Sequence, residues 1–351
     1  MGYRYIGSKA RVVESIIEYI GKPKSANSRF VDAMCGTGIV AYEAARAGWP
    51  VLINDRMKNA VVMSEARLLS ARDAEFQTLG GYQAAIDELN SLSPVKGYIW
   101  REYSPASKDF TPHERRYFSE ENAQRIDAVR AQIAGWRCDS VINEQEHTLL
   151  LAGVMSAAND VANIAGTYGC FLSKWTEQST RPFRLSRSDL FAEPTQYESM
   201  CCDVFDLPCR PDDYVYIDPP YTKRQYASYY HILETIAQED EPVVEGVSGL
   251  RPWKQDSSVF CYKVKAQKAL VKLLLTLPAK QILLSYSDDG HVNIDSLEQE
   301  LLRHGKVEVV NLQSIGSYRP NQTAVRRKSQ VDEYLIVYTK GNESDGCNNN
   351  V

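Results

Sequence analysis

A chain of 351 residues, 44% hydrophobic and 24% charged, is long enough for a full α/β core with a sizeable insertion, since domains run at roughly 100 to 200 residues. No uninterrupted apolar run approaches the roughly 20 residues that cross a bilayer, and the opening MGYRYIGSKARVVE lacks the apolar centre of a secretion signal, so membrane-spanning and secreted classes are set aside. A net charge of -5 excludes a uniformly basic nucleic-acid binder, so any such contact has to come from a local basic surface.

After Gly7 and Ser8, Val12, Val13, Ile16, Ile17 and Ile20 recur at helical spacing, so a glycine-containing loop runs straight into an amphipathic helix. RFVDAMCGTG predicts a buried strand breaking into a glycine turn, IVAYEAARAG a helix closed by Gly48, and WPVLIND a second strand finishing at Asp55. Together they make one βαβ unit, the start of a doubly wound parallel sheet. From 57 to 195 the pattern changes to helices and polar segments without that alternation, which predicts an inserted, mainly helical domain. Sheet pattern returns at DDYVYIDPPY, with a helix in YYHILETIA, another near KAQKALVKLLLTL and the strand QILLSY. KVEVVNL and DEYLIVY read as the strands of a long antiparallel hairpin around GSYRPNQTAVRRKSQV, and 341–351 as a flexible tail. The expected α/β architecture is a Rossmann-like core over 1–56 and 196–340, interrupted by the insertion at 57–195. Eight cysteines without a CxxC pair and five scattered histidines point to free thiols in a reducing cytoplasm, with no metal site expected.

Two constellations carry chemistry. The first is Asp32, Cys35, Gly36, Thr37 and Gly38, followed at the next strand end by Asp55. Glycines let backbone N–H groups approach a ligand, and an acid about 20 residues on accepts ribose hydroxyls, so an adenosine-containing cofactor fits. A structural strand-to-helix turn, or a nicotinamide site with Ala41 in place of the last glycine, satisfies the same spacing.

The second is Asp218-Pro219-Pro220-Tyr221, at the end of a predicted strand where doubly wound sheets place their active sites. Each proline fixes its own φ and holds the preceding residue extended, so the Asp218 carboxylate and the Pro219 carbonyl form an oriented acceptor pair. An adenine amine is a poor nucleophile because its lone pair is delocalised into the ring. If each acceptor takes one N6 hydrogen, the nitrogen pyramidalises and turns its lone pair toward a sulfonium methyl. Tyr221 then stacks on the extruded base. A tight Pro-Pro turn with a solvated acid is the competing structural reading.

These residues resemble the D12 class of DNA adenine N6-methyltransferases, which includes the Dam-type enzymes and many type II modification enzymes. The likeness covers about residues 3 to 56 and 200 to 340; its most specific stretch is DPPYTKRQYASYYHILETIA. The resemblance implies a class I methyltransferase fold with S-adenosylmethionine as cofactor, S-adenosylhomocysteine as product and no metal. It also implies double-stranded DNA as substrate, a cognate restriction endonuclease as partner, and a cytoplasmic, nucleoid-associated protein. By position it assigns Tyr5 and Lys9 to the methionine end of the cofactor, with Lys9 pairing the carboxylate. Asp32 through Gly38 fall at the glycine motif, with Asp32 near the amino group. Asp55, with Arg56 beside it, falls at the ribose, and Asp203 with Val204 near the adenine amine; for Asp203 an ordinary surface acid is the alternative.

The motif order is similar to the α arrangement, in which the insertion recognises the target. Within it, NDVANIAGTYGCFLSKW offers Asn163, Tyr168, Lys174 and Trp175 to base edges and phosphate, with ordinary core packing as the alternative for Phe171 and Trp175. Lys223, Arg224 and Tyr226 follow the acidic turn, where the flipped nucleotide's backbone is expected. Arg319, Arg326 and Arg327, with Asn321 among them, lie in a local basic run from 317 to 328 suited to phosphate or, alternatively, a solvated charge run. The rival functions are an RNA methyltransferase, a cytosine N4-methyltransferase (where Ser is commoner at the position of Asp218), a nicotinamide-dependent dehydrogenase and a catalytically silent DNA-binding module.

Overall fold

The computed structural model describes residues 7, 9–25, 27–316 and 330–341. In chain order the helices and strands are α1 (Val13–Ile20), β1 (Phe30–Asp32), α2 (Ile39–Arg46), β2 (Val51–Asn54), α3 (Lys58–Leu68), α4 (Tyr82–Ser91), α5 (Tyr98–Tyr103), α6 (Glu120–Cys138) and α7 (Glu144–Val161). There follow β3 (Tyr197–Met200), β4 (Tyr214–Ile217), α8 (Tyr226–Tyr229), α9 (His231–Gln238), α10 (Lys263–Thr276), β5 (Gln281–Ser287), α11 (Ile294–Leu301), β6 (Gly305–Gly316) and β7 (Gln330–Lys340). The described residues divide into two compact units, one of residues 57–195 and 226–256, the other of those within 7–56, 196–225, 257–316 and 330–341.

The second unit contains a seven-stranded sheet in the order β3-β2-β1-β4-β5-β7-β6. The first five strands are parallel, and β7 runs antiparallel between β5 and β6. This is the Rossmann-like sheet with a closing antiparallel pair that the sequence predicts. β1 and β2 are buried at every position, as continuous apolar strands are when both faces of a parallel sheet are covered. Val31, Leu52, Val215, Ile282 and Leu284 join Leu270, Leu273 and Leu274 of α10 and Leu297 and Leu301 of α11 in one core. Arg29 and Asp213, which precede β1 and β4, form a buried bidentate pair with contacts of 3.1 and 2.9 Å, locking the amino ends of those strands together.

Strand order reverses between β1 and β4. From β1 the chain moves outward through β2 and β3, and from β4 it moves the other way through β5. Such a reversal leaves a crevice outside the carboxyl ends of the two central strands. Asp32 closes β1 in register with Tyr216, and Asp218 follows β4 directly. Both acids therefore stand at the mouth of that crevice.

The other unit is helical. α7 begins with a reciprocal cap: Glu146 N donates to Asn143 Oδ1 at 2.7 Å, and Asn143 N donates to Glu146 Oε2 at 2.9 Å. Asp127 on α6 accepts from the backbone N–H groups of Gly97, Ile99 and Trp100 at 3.1, 2.9 and 2.8 Å, capping α5. Glu234 on α9 does the same for α3, accepting from Lys58 N at 3.1 Å and Asn59 N at 2.9 Å. The sequence reading assigns α8 and α9 to the sheet domain; by contact they group with the insertion's helices. Among the described residues no helix is long and apolar enough to cross a membrane.

Candidate active site

The glycine loop is shaped by its backbone. Gly36 and Gly38 adopt φ of 52° and 73°, the left-handed region that side chains resist, and Gly38 N closes the turn on Cys35 O at 2.7 Å. Gly36 N donates to Asp55 Oδ2 at 3.1 Å, so the acid directly after β2 holds the loop that follows β1. Asn54, which no sequence motif marked, ties three strand ends together. Its Nδ2 donates to the carbonyls of Ala33 and Cys202, and its Oδ1 accepts from Cys202 N at 3.1 Å. Cys35, whose N–H donates to the Asn54 carbonyl at 2.9 Å, and Thr37 are both buried.

Asp32 is 1% exposed. Its Oδ2 accepts from Ala41 N at 3.2 Å, while the buried Oδ1 has no partner. Burial first, and then the charges of Asp218 and Asp55, push its carboxyl up to about 8. A buried carboxylate with one bare oxygen is an incomplete site, and a cationic group completes it. The ammonium of a methionine moiety has that chemistry, so Asp32, the glycine loop and Asp55 fit the cofactor expected from the sequence.

Beyond β4, the Tyr221 hydroxyl donates to Asp218 Oδ1 at 2.5 Å, and its ring packs against Tyr286 at 4.9 Å between centroids. Lys9, 4% exposed, sets its ammonium 3.3 Å from Asp218 Oδ1 and 2.9 Å from Glu333 Oε2, and also donates to the Tyr221 hydroxyl. Burial alone would lower the Lys9 pKa, but Asp218 and Glu333 outweigh it and raise it, so the ammonium stays charged. Asp218 is raised to about 6: burial pushes it up, Lys9 pulls it down and Glu333 pushes it up again. The arrangement brings Lys9 to the acidic turn, a contact that differs from the cofactor carboxylate expected for it. Glu333 escaped the sequence reading because it sits inside an alternating strand, DEYLIVY, where an acid reads as solvent-facing.

Asp203 caps the turn at 204–206, accepting from Phe205 N at 3.1 Å, and forms an ion pair with Arg56; Val204 is buried in the core of the sheet. In the helical unit, Asn163 is fully buried, and its side chain is spent on the loop it belongs to: it donates to the carbonyls of Arg116 and Leu172 and accepts from Thr176 N at 3.2 Å. Tyr168 is equally interior, its carbonyl accepting from the Tyr117 hydroxyl and facing His231 Nε2 at 2.9 Å. Burial lowers the His231 imidazole to about 3, so it remains neutral. As placed, these two residues brace a loop and offer nothing to a base edge, while Lys174 and Trp175 on the same loop are exposed. Lys223 is exposed and Arg224 half-buried, its carbonyl accepting from Cys261 Sγ. Tyr226 begins α8 and packs on Tyr230 at 5.8 Å. Tyr5, Arg319, Asn321, Arg326 and Arg327 lie outside the described residues. Among the described residues there is no group of three or more His, Cys, Asp or Glu arranged to hold a metal ion.

A reversed sheet order with an acidic proline turn at the switch point defines a Rossmann-like methyltransferase. The model of the D12 class N6 adenine-specific DNA methyltransferases matches residues 5–298, and the chain belongs to that family. It is similar to the type II methyltransferase M.FokI of Planomicrobium okeanokoites, 32% identical over 349 residues, 96% of this chain and 52% of that protein. Against the modification methylase StsI of Streptococcus sanguinis it is 29% identical, covering 95% of this chain and 51% of that one. The chain thus spans about half the length of these two relatives. It spans nearly the whole of a third, the type II methyltransferase M.NlaIII of Neisseria lactamica, at 28% identity, with 96% and 99% covered.

Proposed function

We propose that this chain transfers a methyl group to the N6 amine of an adenine turned out of duplex DNA, and that it serves as the modification enzyme of a restriction-modification system alongside a cognate endonuclease. The observation that carries the reading is the pairing of two incompletely satisfied acids at one switch point: Asp32, with a bare buried oxygen, and Asp218, directly after β4 on a proline-stiffened turn. Names of similar proteins support the modification role.

When bound, S-adenosylmethionine supplies a methyl group activated by a sulfonium. The chain's own residues do the rest. Asp32 would take the ammonium and Asp55 the ribose hydroxyls, and the side-chain-free turn from Gly36 to Gly38 would let the backbone come close to them. Asp203 and Val204 border the adenine end. Lys9 and the Tyr221 hydroxyl occupy Asp218 Oδ1, and among the described residues Oδ2 has no hydrogen bond. Oδ2 therefore accepts one N6 hydrogen and the Pro219 carbonyl the other, turning the nitrogen lone pair out of the ring plane. Once the amine is methylated, Oδ2 would take its surplus N6 proton, and a pKa of about 6 would let it release that proton to water at neutral pH. The helical unit around 57–195 reads the target, with exposed Lys174 and Trp175 as its contacts; Lys223, Arg224 and the run from Arg319 to Arg327 meet phosphates.

Incubation with duplex DNA and a methyl-labelled cofactor tests the reading. Label is expected in N6-methyladenine, and label confined to RNA or cytosine overturns it.

A further inference from the structure

Two carboxylates grip the buried ammonium of the site, and only one belongs to the acidic turn. Glu333 lies on β7 opposite Ser287 of β5, 14% exposed, with its Oε2 2.9 Å from Lys9 Nζ and 3.4 Å from Ser285 Oγ. The groups facing Asp218 are Lys9 ahead of α1, Asp32 from β1, Tyr216 from β4, Tyr221 from the turn and Glu333 from β7. Glu333 thus sets a second carboxylate on the ammonium that Asp218 also holds.

We propose that Glu333 is a positioning residue for methyl transfer: by sharing the Lys9 ammonium it keeps Asp218 Oδ1 fixed while leaving the turn's carboxylate a strong enough acceptor for the amine. An ammonium committed to Asp218 alone draws electron density from both oxygens and weakens the hydrogen bond that Oδ2 makes. The inference rests on Asp218 being the amine's acceptor.

The test compares Glu333→Gln and Glu333→Asp in the full chain. With carbon-13 labelled aspartate and no cofactor, the Asp218 titration midpoint is expected to drop by about one pH unit in Glu333→Gln, as for loss of a like charge nearby, and to stay close to wild type in Glu333→Asp. With duplex DNA, the acid limb of single-turnover methylation should move the same way, and the plateau rate should fall at least ~10-fold with DNA affinity unchanged, as for a misoriented catalytic group. In a Lys9→Met background the Glu333→Gln change should add less than about 2-fold, because the shared ammonium is gone. An unmoved midpoint, or the same rate loss in Glu333→Asp and Glu333→Gln, overturns the proposal. The titration needs no turnover, so a wild type that methylates no adenine would sink the functional reading while the midpoint still judges Glu333.

Discussion

Asp127 in the helical unit and Asp32 in the sheet unit are both buried acids, and they are buried differently. Asp127 spreads its charge over three backbone N–H groups; although burial raises it, these bonds pull it back to about 6. Asp32 has one N–H, one bare oxygen and two acidic neighbours, and it stands at about 8. Burial alone therefore does not mark a site. Between these two acids it is the unsatisfied acceptor that makes the difference, because a buried carboxylate oxygen without a partner is costly until a ligand completes it.

Substitutions at the two kinds of acid should therefore have opposite signatures. Asp127→Ala leaves three N–H groups without an acceptor and should cost at least ~3 kcal/mol of stability in chemical denaturation; an unchanged midpoint would erase the distinction. Asp218→Ala should leave stability near wild type yet lower turnover at least ~100-fold, about 2.7 kcal/mol for one oriented group at a transition state. Near-normal turnover removes Asp218 from the chemistry.

Asp32→Asn separates the two roles by pH. The folded pKa of Asp32 lies above the ordinary carboxylate value, so its contribution favours the fold at low pH and is lost as pH rises toward 8. The cofactor-free variant should thus be more stable than wild type at pH 8 and little changed at pH 4. Its cofactor affinity should fall at least ~10-fold at pH 8, as for a lost charge-assisted bond. In the wild type, affinity should rise with pH between about 6 and 8, with proton release measurable by calorimetry in buffers of different ionisation enthalpy. A flat pH profile would put the ammonium elsewhere. The smallest effect is expected for Lys174→Ala, which should flatten the salt dependence of DNA binding by about 0.9 in log–log slope for one phosphate contact; an unaltered slope moves that contact away from the loop.

The central strands were legible because double-sided burial writes them as apolar runs, FVD, VLIN and YVYI. β3 was not: YESM is a half-exposed edge whose polar residues carry no strand pattern. DPPY and the glycine loop were legible because prolines and glycines constrain the backbone locally. Asn163 and Tyr168 show the limit, since an asparagine that braces a loop and one that reads a base are the same letter until its neighbours are known. His231 and Glu234 follow the acidic turn in sequence, yet they contact Tyr168, Lys58 and Asn59, and such distant pairings decide which unit a segment joins. Glu333 depends on one too, more than 320 positions from Lys9.

The pairing of Val51 with Tyr197 also sets a timetable for synthesis. On the ribosome β2 emerges with one flank uncovered, and its partner strand arrives only after residues 57–195 have been translated, on the order of ten seconds later at usual elongation rates. During that interval the helices α3 to α7, whose contacts are nearer in sequence, can assemble first, while the waiting edge is open to mispairing with another nascent chain. Slowed translation across the insertion should therefore lower the yield of native protein more than slowing of equal length after β5.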